Sequence, residues 1–214
     1  MNMVVPEWLS WQAQRVPNRQ ALATSDATFT FQQLCAAADR LARQLIALGA
    51  ASGDRVATLL PNGYTMVLAG HAVSRIPAVL VPLNTRLSPA ELAPQLAEAS
   101  PRVLLTNQTL LAHAQAALEQ ATTHGLEQSC RIVLADTADA DARSVPLLET
   151  APEAPATVQR TVDLNAVHTI VYTSGTTGRP KGVMLTYGNH WWNAIGSALN
   201  LGVTPEDCWL LCMP

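Results

Sequence analysis

The chain of 214 residues is 49% hydrophobic and 14% charged, with a net charge of −3. That length fits one large or two small domains of roughly 100–200 residues each, and the apolar but well-mixed composition favours a globular α/β protein over a disordered chain. The thin negative charge, without a basic stripe, argues against a nucleic-acid partner, and no stretch reaches the ~20 apolar residues that a membrane span needs.

The first predicted element is a helix. Thr30 and Gln33 form a capping box, Leu34, Ala37, Leu41, Leu45 and Leu48 recur at helical spacing, and Gly49 offers a left-handed stop. Arg55 to Leu60 then reads as a buried strand ended by the Pro61-Asn62-Gly63 turn, followed by a helix from Thr65 to Ser74 and a strand over Ala78 to Val81. Ser88-Pro89-Ala90-Glu91 is a second helix start, with a serine cap, proline in the first turn and a glutamate reaching back. Val103 to Leu105 is the next strand, Leu110 to Gln120 a helix, and Ile132 to Leu134 another strand. Nearly continuous apolar strands alternating with amphipathic helices predict an α/β fold, a mostly parallel sheet with helices on both faces.

From Asp136 to Pro155 acidic residues, alanines and prolines break the periodicity. A domain boundary fits here, and so does a surface excursion inside one domain. The expected division is 1–135 as an α/β part, 136–160 as the excursion, and 161–214 as strand, loop and helix. The four cysteines, Cys35, Cys130, Cys208 and Cys212, are scattered and read as structural thiols of a reducing compartment. Met1 to Trp8 has neither the basic start nor the apolar run of a signal peptide. Together these predict a cytoplasmic protein. The five histidines show no metal-ligand spacing, so no metal site is expected. Nothing in the sequence sets the oligomeric state.

The strand Val167 to Tyr172 runs into Thr173-Ser174-Gly175-Thr176-Thr177-Gly178-Arg179-Pro180-Lys181-Gly182, which packs four hydroxyls, three glycines and two cations into ten residues. Glycines let backbone N–H groups turn toward a bulky anion. Hydroxyls and a lysine donate to phosphate oxygens. Thr173, Ser174, Gly175, Thr176, Thr177, Gly178 and Lys181 are therefore the candidate polyphosphate ligands, with a helix expected from about Gly188. A Walker loop does not fit, because Pro180 stands where its second glycine belongs and Gly182 follows the lysine.

Residues Tyr172 to Gly182 resemble the phosphate-binding signature of the adenylate-forming superfamily, which includes acyl-CoA synthetases, luciferases and peptide-synthetase adenylation domains. Thr30 to Leu34, Gly53 to Ala57, Leu60-Pro61-Asn62 and Pro82 to Leu92 resemble the same enzymes' N-terminal part. The resemblance implies a two-step reaction in which a carboxylic acid and ATP give an acyl-adenylate, and coenzyme A then takes the acyl group. ATP with Mg²⁺, the acid and coenzyme A are the implied partners. It also implies that the catalytic lysine, the Mg²⁺ ligand, the adenine and ribose contacts and a C-terminal domain lie beyond Pro214. With Trp209 to Met213 read as a strand, the sequence is expected to be a truncated chain that is inactive alone.

Leu185 to Gly202, with paired tryptophans and Gly-Ser-Ala-Leu-Asn-Leu-Gly, resembles the o-succinylbenzoate–CoA ligases of menaquinone biosynthesis within that superfamily. There the helix borders the acyl pocket, so Trp192 and Gly196 become candidate pocket residues, the glycine leaving room for a ring. Taken singly, Trp191 and Trp192 suit a packed core better than a pocket. Another acyl- or aryl-CoA synthetase and an inactive nucleotide-binding piece are the alternative readings.

Overall fold

The computed structural model describes residues 3–126, 128–135, 152–174 and 180–211. The chain opens with a short strand β1 (Val4–Pro6) and a helix α1 (Trp8–Arg15) that the sequence pattern did not announce. Its cap is Glu7, whose carboxylate accepts from the backbone N–H groups of Leu9 (3.2 Å) and Ser10 (2.8 Å). A two-stranded hairpin follows, β2 (Gln20–Ala23) and β3 (Thr28–Thr30), and leads into helix α2 (Phe31–Ala47). The Thr30–Gln33 capping box is present, and Gly49 takes the left-handed turn at φ 96°.

The central body alternates as the sequence predicts: β4 (Arg55–Leu59), α3 (Tyr64–Ser74), β5 (Val79–Pro82), α4 (Pro89–Ala99), β6 (Val103–Thr106), a single 3₁₀ turn, α5 (Leu111–Thr123) and β7 (Arg131–Leu134). Glu91 reaches back 2.8 Å to the Ser88 N–H at the start of α4. After the segment 152–160 come β8 (Thr161–Asp163), which pairs antiparallel with β1, then β9 (Val167–Thr173), β10 (Lys181–Thr186) and α6 (Tyr187–Leu201). The six-stranded sheet has the order β10-β9-β5-β4-β6-β7. Every pairing from β9 to β7 is parallel, and β10 lies antiparallel on β9.

Successive strand residues point to opposite faces of a sheet, and the sequence exploits both. Val56, Leu80, Val103, Leu105 and Val133 pack with Leu34, Leu41 and Leu45 of α2 and Leu68 and Ala72 of α3. Ala57, Leu59, Val81 and Leu104 face the other way, onto Leu92 and Leu96 of α4 and Ala114, Ala117 and Ala121 of α5. Each fully buried leucine stabilises the fold by about 1.5–3 kcal/mol, and its two apolar faces explain why the strands read as continuous runs. Among the described residues no helix is long and apolar enough to cross a membrane.

The largest of the fully buried side chains is a cation, Arg75, at the end of α3. It pairs with Asp39 of α2 (2.6 Å) and with Glu7 (3.2 Å), and donates to the carbonyl of His71 (2.7 Å). Arg160, just ahead of β8, grips Asp39 from outside at 2.6 Å. Burial raises the Glu7 carboxyl, but His71, Arg75 and Ser10 outweigh it and hold it at about 2. Charge pairing thus ties four elements that share little sequence proximity.

Two local expectations change. Residues 209–211 form no strand, because no neighbouring strand among the described residues offers them a ladder, and Cys208 beside them is exposed rather than a core thiol. Cys212 and Met213, like most of the 136–160 excursion, lie outside the described residues. Of that excursion, 152–160 runs mostly exposed, pinned by the buried Val158 and by the ion pairs of Glu153 with Arg40 and Arg43.

Candidate functional site

A cleft of about 1010 Å³ opens outside the carboxyl ends of β4, β5 and β9, where open α/β sheets bind their ligands. Thr58, Leu60, Pro82 and Leu83 come from the first two strands, and Glu91, Gln95 and Glu98 from α4. Tyr172, Thr173 and Ser174 complete the wall at the end of β9, facing Pro180 across the loop. Burial above all, and then the charge of Glu98, pushes the Tyr172 phenol up to about 12, so it stays a donor, and it donates to the carbonyl of Gln95 (3.1 Å). That bond holds the loop-bearing strand against α4. The buried hydroxyl of Thr58, on the same wall, has no partner among the described residues.

The candidate phosphate loop proves to be the connection of a β-hairpin. Strand β10 intervenes before the helix, which starts at Tyr187, so the loop does not lead directly into a helix N-terminus. Lys181 sits opposite Thr173 and Gly182 opposite Tyr172. A side chain at Gly182 would place its Cβ 2.9 Å from Ile170 Cγ2 and 3.3 Å from Tyr172 Cζ, so close strand packing requires glycine there. The Lys181 side chain is exposed. The structure therefore brings Thr173, Ser174 and Lys181 to one hairpin mouth beside the cleft, while Gly175, Thr176, Thr177 and Gly178 lie outside the described residues. Among the described lining residues the charged groups are Glu91 and Glu98, so the hairpin must supply the positive charge for an anion.

Helix α6 carries the other candidates. Trp191 stacks on Trp8 at 6.2 Å, whereas Trp192 points outward at 59% exposure. A Cβ at Gly196 would meet nothing within 4 Å, so the space beside it is open. Neither Trp192 nor Gly196 lines the cleft. The first turn of α6 is fixed instead by contacts that no sequence spacing signals. The Thr169 hydroxyl lies 2.8 Å from His190 Nε2 and 3.2 Å from His168 Nδ1, and His168 Nε2 lies 3.3 Å from the Gly70 carbonyl. A carbonyl only accepts, so His168 Nε2 carries the proton and Nδ1 accepts from Thr169; the hydroxyl oxygen then accepts from His190. Burial chiefly, with the charges of His190 and His71, pushes His168 down to about 4, which keeps this chain of bonds in its neutral form. It links α6, β9 and α3 directly behind the loop.

The sequence profile described as AMP-binding enzyme matches residues 9–214. A 2-succinylbenzoate–CoA ligase of Bacillus cereus is 38% identical over 98% of this chain, but the chain spans only 38% of that relative's length. Among solved structures, a double mutant of o-succinylbenzoate CoA synthetase from Bacillus subtilis with its product analogue superposes with a TM-score of 0.82 at 35% identity, covering 99% of this chain and 40% of the other. The same Bacillus subtilis enzyme in complex with ATP and magnesium gives a TM-score of 0.80 at 34% identity, covering 99% and 52%.

Proposed function

This chain belongs to the AMP-binding enzyme family, and on that premise we propose that it forms the phosphate-gripping front part of an ATP-dependent acid–CoA ligase acting on o-succinylbenzoate. The observation that carries the reading is the hairpin mouth, where Thr173 and Ser174 open on the cleft and Lys181 stands opposite Thr173. The relatives support it, being 2-succinylbenzoate–CoA ligases at 38% identity.

In the first step a carboxylate oxygen of the acid attacks the α-phosphorus of ATP. The bond to the pyrophosphate oxygen breaks, leaving a mixed anhydride with AMP. In the second step the thiol of coenzyme A attacks the activated carbonyl, loses its proton, and AMP departs. The loop, through Thr173, Ser174, Gly175, Thr176, Thr177, Gly178 and Lys181, holds the β- and γ-phosphates and stabilises the leaving pyrophosphate. Magnesium enters with ATP and neutralises phosphate charge; no three His, Cys, Asp or Glu side chains converge as a metal site among the described residues. The family resemblance makes Trp192 and Gly196, which lie outside the described cleft, the candidate border of the acid's ring, the glycine leaving it room. The setting is the cytoplasm.

The test is CoA-ester formation by a ligase carrying this chain, over o-succinylbenzoate, benzoate and medium-chain fatty acids. The highest kcat/KM is expected for o-succinylbenzoate, and Gly196→Phe is expected to block that acid while leaving ATP affinity nearly intact. A fatty acid turned over best would leave only the ligase class standing. The 214 residues alone, spanning 38% of the Bacillus cereus relative, are expected to show no acid-dependent exchange of pyrophosphate into ATP, and exchange above a protein-free control would refute this.

A further inference from the structure

A second cavity, of about 520 Å³, lies on the opposite side of the strand ends from α4, between α1, α3, β8 and the start of α6. We propose that it binds a neutral, ring-sized molecule that bears a hydroxyl group, held by His71.

Three observations point to that chemistry. The walls are apolar, formed by Met66, Val67, Leu80, Val162 and Val171 with the ring of Trp8, which favours an apolar body. Among the polar side chains of the wall, which include Asn62, Ser74 and His168, stands a carboxylate–histidine pair: Glu7 Oε1 lies 3.3 Å from His71 Nδ1. The Glu7 carboxylate, held at about 2, is ionised and only accepts, so His71 Nδ1 carries the hydrogen and Nε2 is the ring nitrogen left to meet a ligand. Among the described residues no hydrogen bond reaches that Nε2, and the side chain is 29% exposed, so a ligand can approach it. Finally, a hydroxyl can both donate and accept, so it meets His71 Nε2 whichever role that nitrogen takes.

The charge balance sets the remaining limit. Glu7 is already matched by Arg75 behind it at 3.2 Å, so a ligand cation gains no unpaired anion. A ligand carboxylate would face the Glu7 charge, and the described lining residues include no lysine or arginine. The cavity shares Asn62, Met66, Pro82 and Val171 with the larger cleft, so its occupant would sit against the back of the wall that faces the hairpin mouth. The inference uses no residue assigned to ATP or to the acid and stands apart from the ligase reading.

The experiment titrates ¹⁵N-labelled protein with 4-ethylphenol, ethylbenzene and 4-ethylbenzoate, following the Trp8 indole and Gly70 amide resonances. Saturable shifts are expected with 4-ethylphenol, at least fivefold weaker binding with ethylbenzene, and none at these resonances with 4-ethylbenzoate. Val67→Phe, which fills the cavity from its wall and leaves the Glu7–His71 pair intact, is expected to abolish the shifts. His71→Leu is expected to erase the preference for the phenol over the hydrocarbon. Equal affinity for phenol and hydrocarbon, tightest binding of the benzoate, or unchanged shifts in Val67→Phe would each overturn the proposal.

Discussion

The body of strands β4 to β7 and the hairpin region of β9, β10 and α6 are built by opposite means. The body buries its strands on both faces, and its helices α2 to α5 close over them. In the hairpin region Val183 is 42% and Met184 66% exposed, α6 leaves Trp192 and Leu199 open, and Leu210 is 86% exposed. Packing holds the first, whereas the second combines a small apolar cluster around Tyr187 and Trp191 with a few polar contacts, the Thr169 bonds to His168 and His190 and the Tyr172 bond to α4. The lesson is that the loop's foundation is rigid on its inner side and open on its outer side, so structural and functional substitutions should separate cleanly between the two regions.

The hardest blow to the body is Arg75→Met. It leaves the buried Glu7 carboxylate without its guanidinium and should destabilise the chain by about 3–5 kcal/mol in urea denaturation; a loss below about 1 kcal/mol would mean that the network contributes little.

Acid should reveal the same dependence. Glu7 is held at about 2 against an ordinary 4.5, and His168 at about 4 against 6.5. Both folded values lie below the unfolded ones, so the unfolded chain takes up protons first and stability falls with pH. His168 governs the fall from pH 6.5 to about 4 and Glu7 the fall from 4.5 to about 2, each on the order of 3 kcal/mol. His168→Phe should flatten the upper limb of the urea midpoint against pH, and an unchanged limb would assign it to another group.

In the hairpin the expected losses are functional. On the proposed phosphate role, Lys181→Ala in a ligase carrying this chain removes a charge-assisted contact of about 1.5–3 kcal/mol and should slow adenylation roughly ten- to a hundredfold. Thiolysis of a pre-formed adenylate should change far less; equal losses in both steps would show that the lysine supports the fold. The smallest effect is expected from Trp192→Gln, within about 0.5 kcal/mol of the parent chain's stability, because its ring faces solvent. A larger loss would move Trp192 from the open region into the body.

The same contrast governs what the sequence could reveal. Strands β4 to β7 announce themselves because two-sided burial demands apolar runs, and Thr30 and Ser88 mark helix starts through local hydrogen bonds. Strand β10 escaped notice because it follows the glycine-rich loop with no turn between, and half-exposed residues blur its alternation. Helix α1 is only eight residues long and is capped by a glutamate rather than a serine or threonine. An arginine reads as a surface residue, and only folding brings Glu7 and Asp39 around Arg75. The loop could be singled out because its candidate donors are consecutive. The Thr169–His190 bond could not, since its partners stand 21 residues apart.

The glycine at position 182 has a mechanical consequence. If β10 slid by one residue along β9, Lys181 or Val183 would come opposite Tyr172, and a Cβ would enter the space that only Gly182 leaves free. The slip would also turn every side chain of the strand to the wrong face. The hairpin is thus a latch with a single notch. Whatever path the chain takes between Ser174 and Pro180, its two ends keep a fixed spacing. A register that cannot slide also keeps Thr169 in its place beside His190 in the first turn of α6.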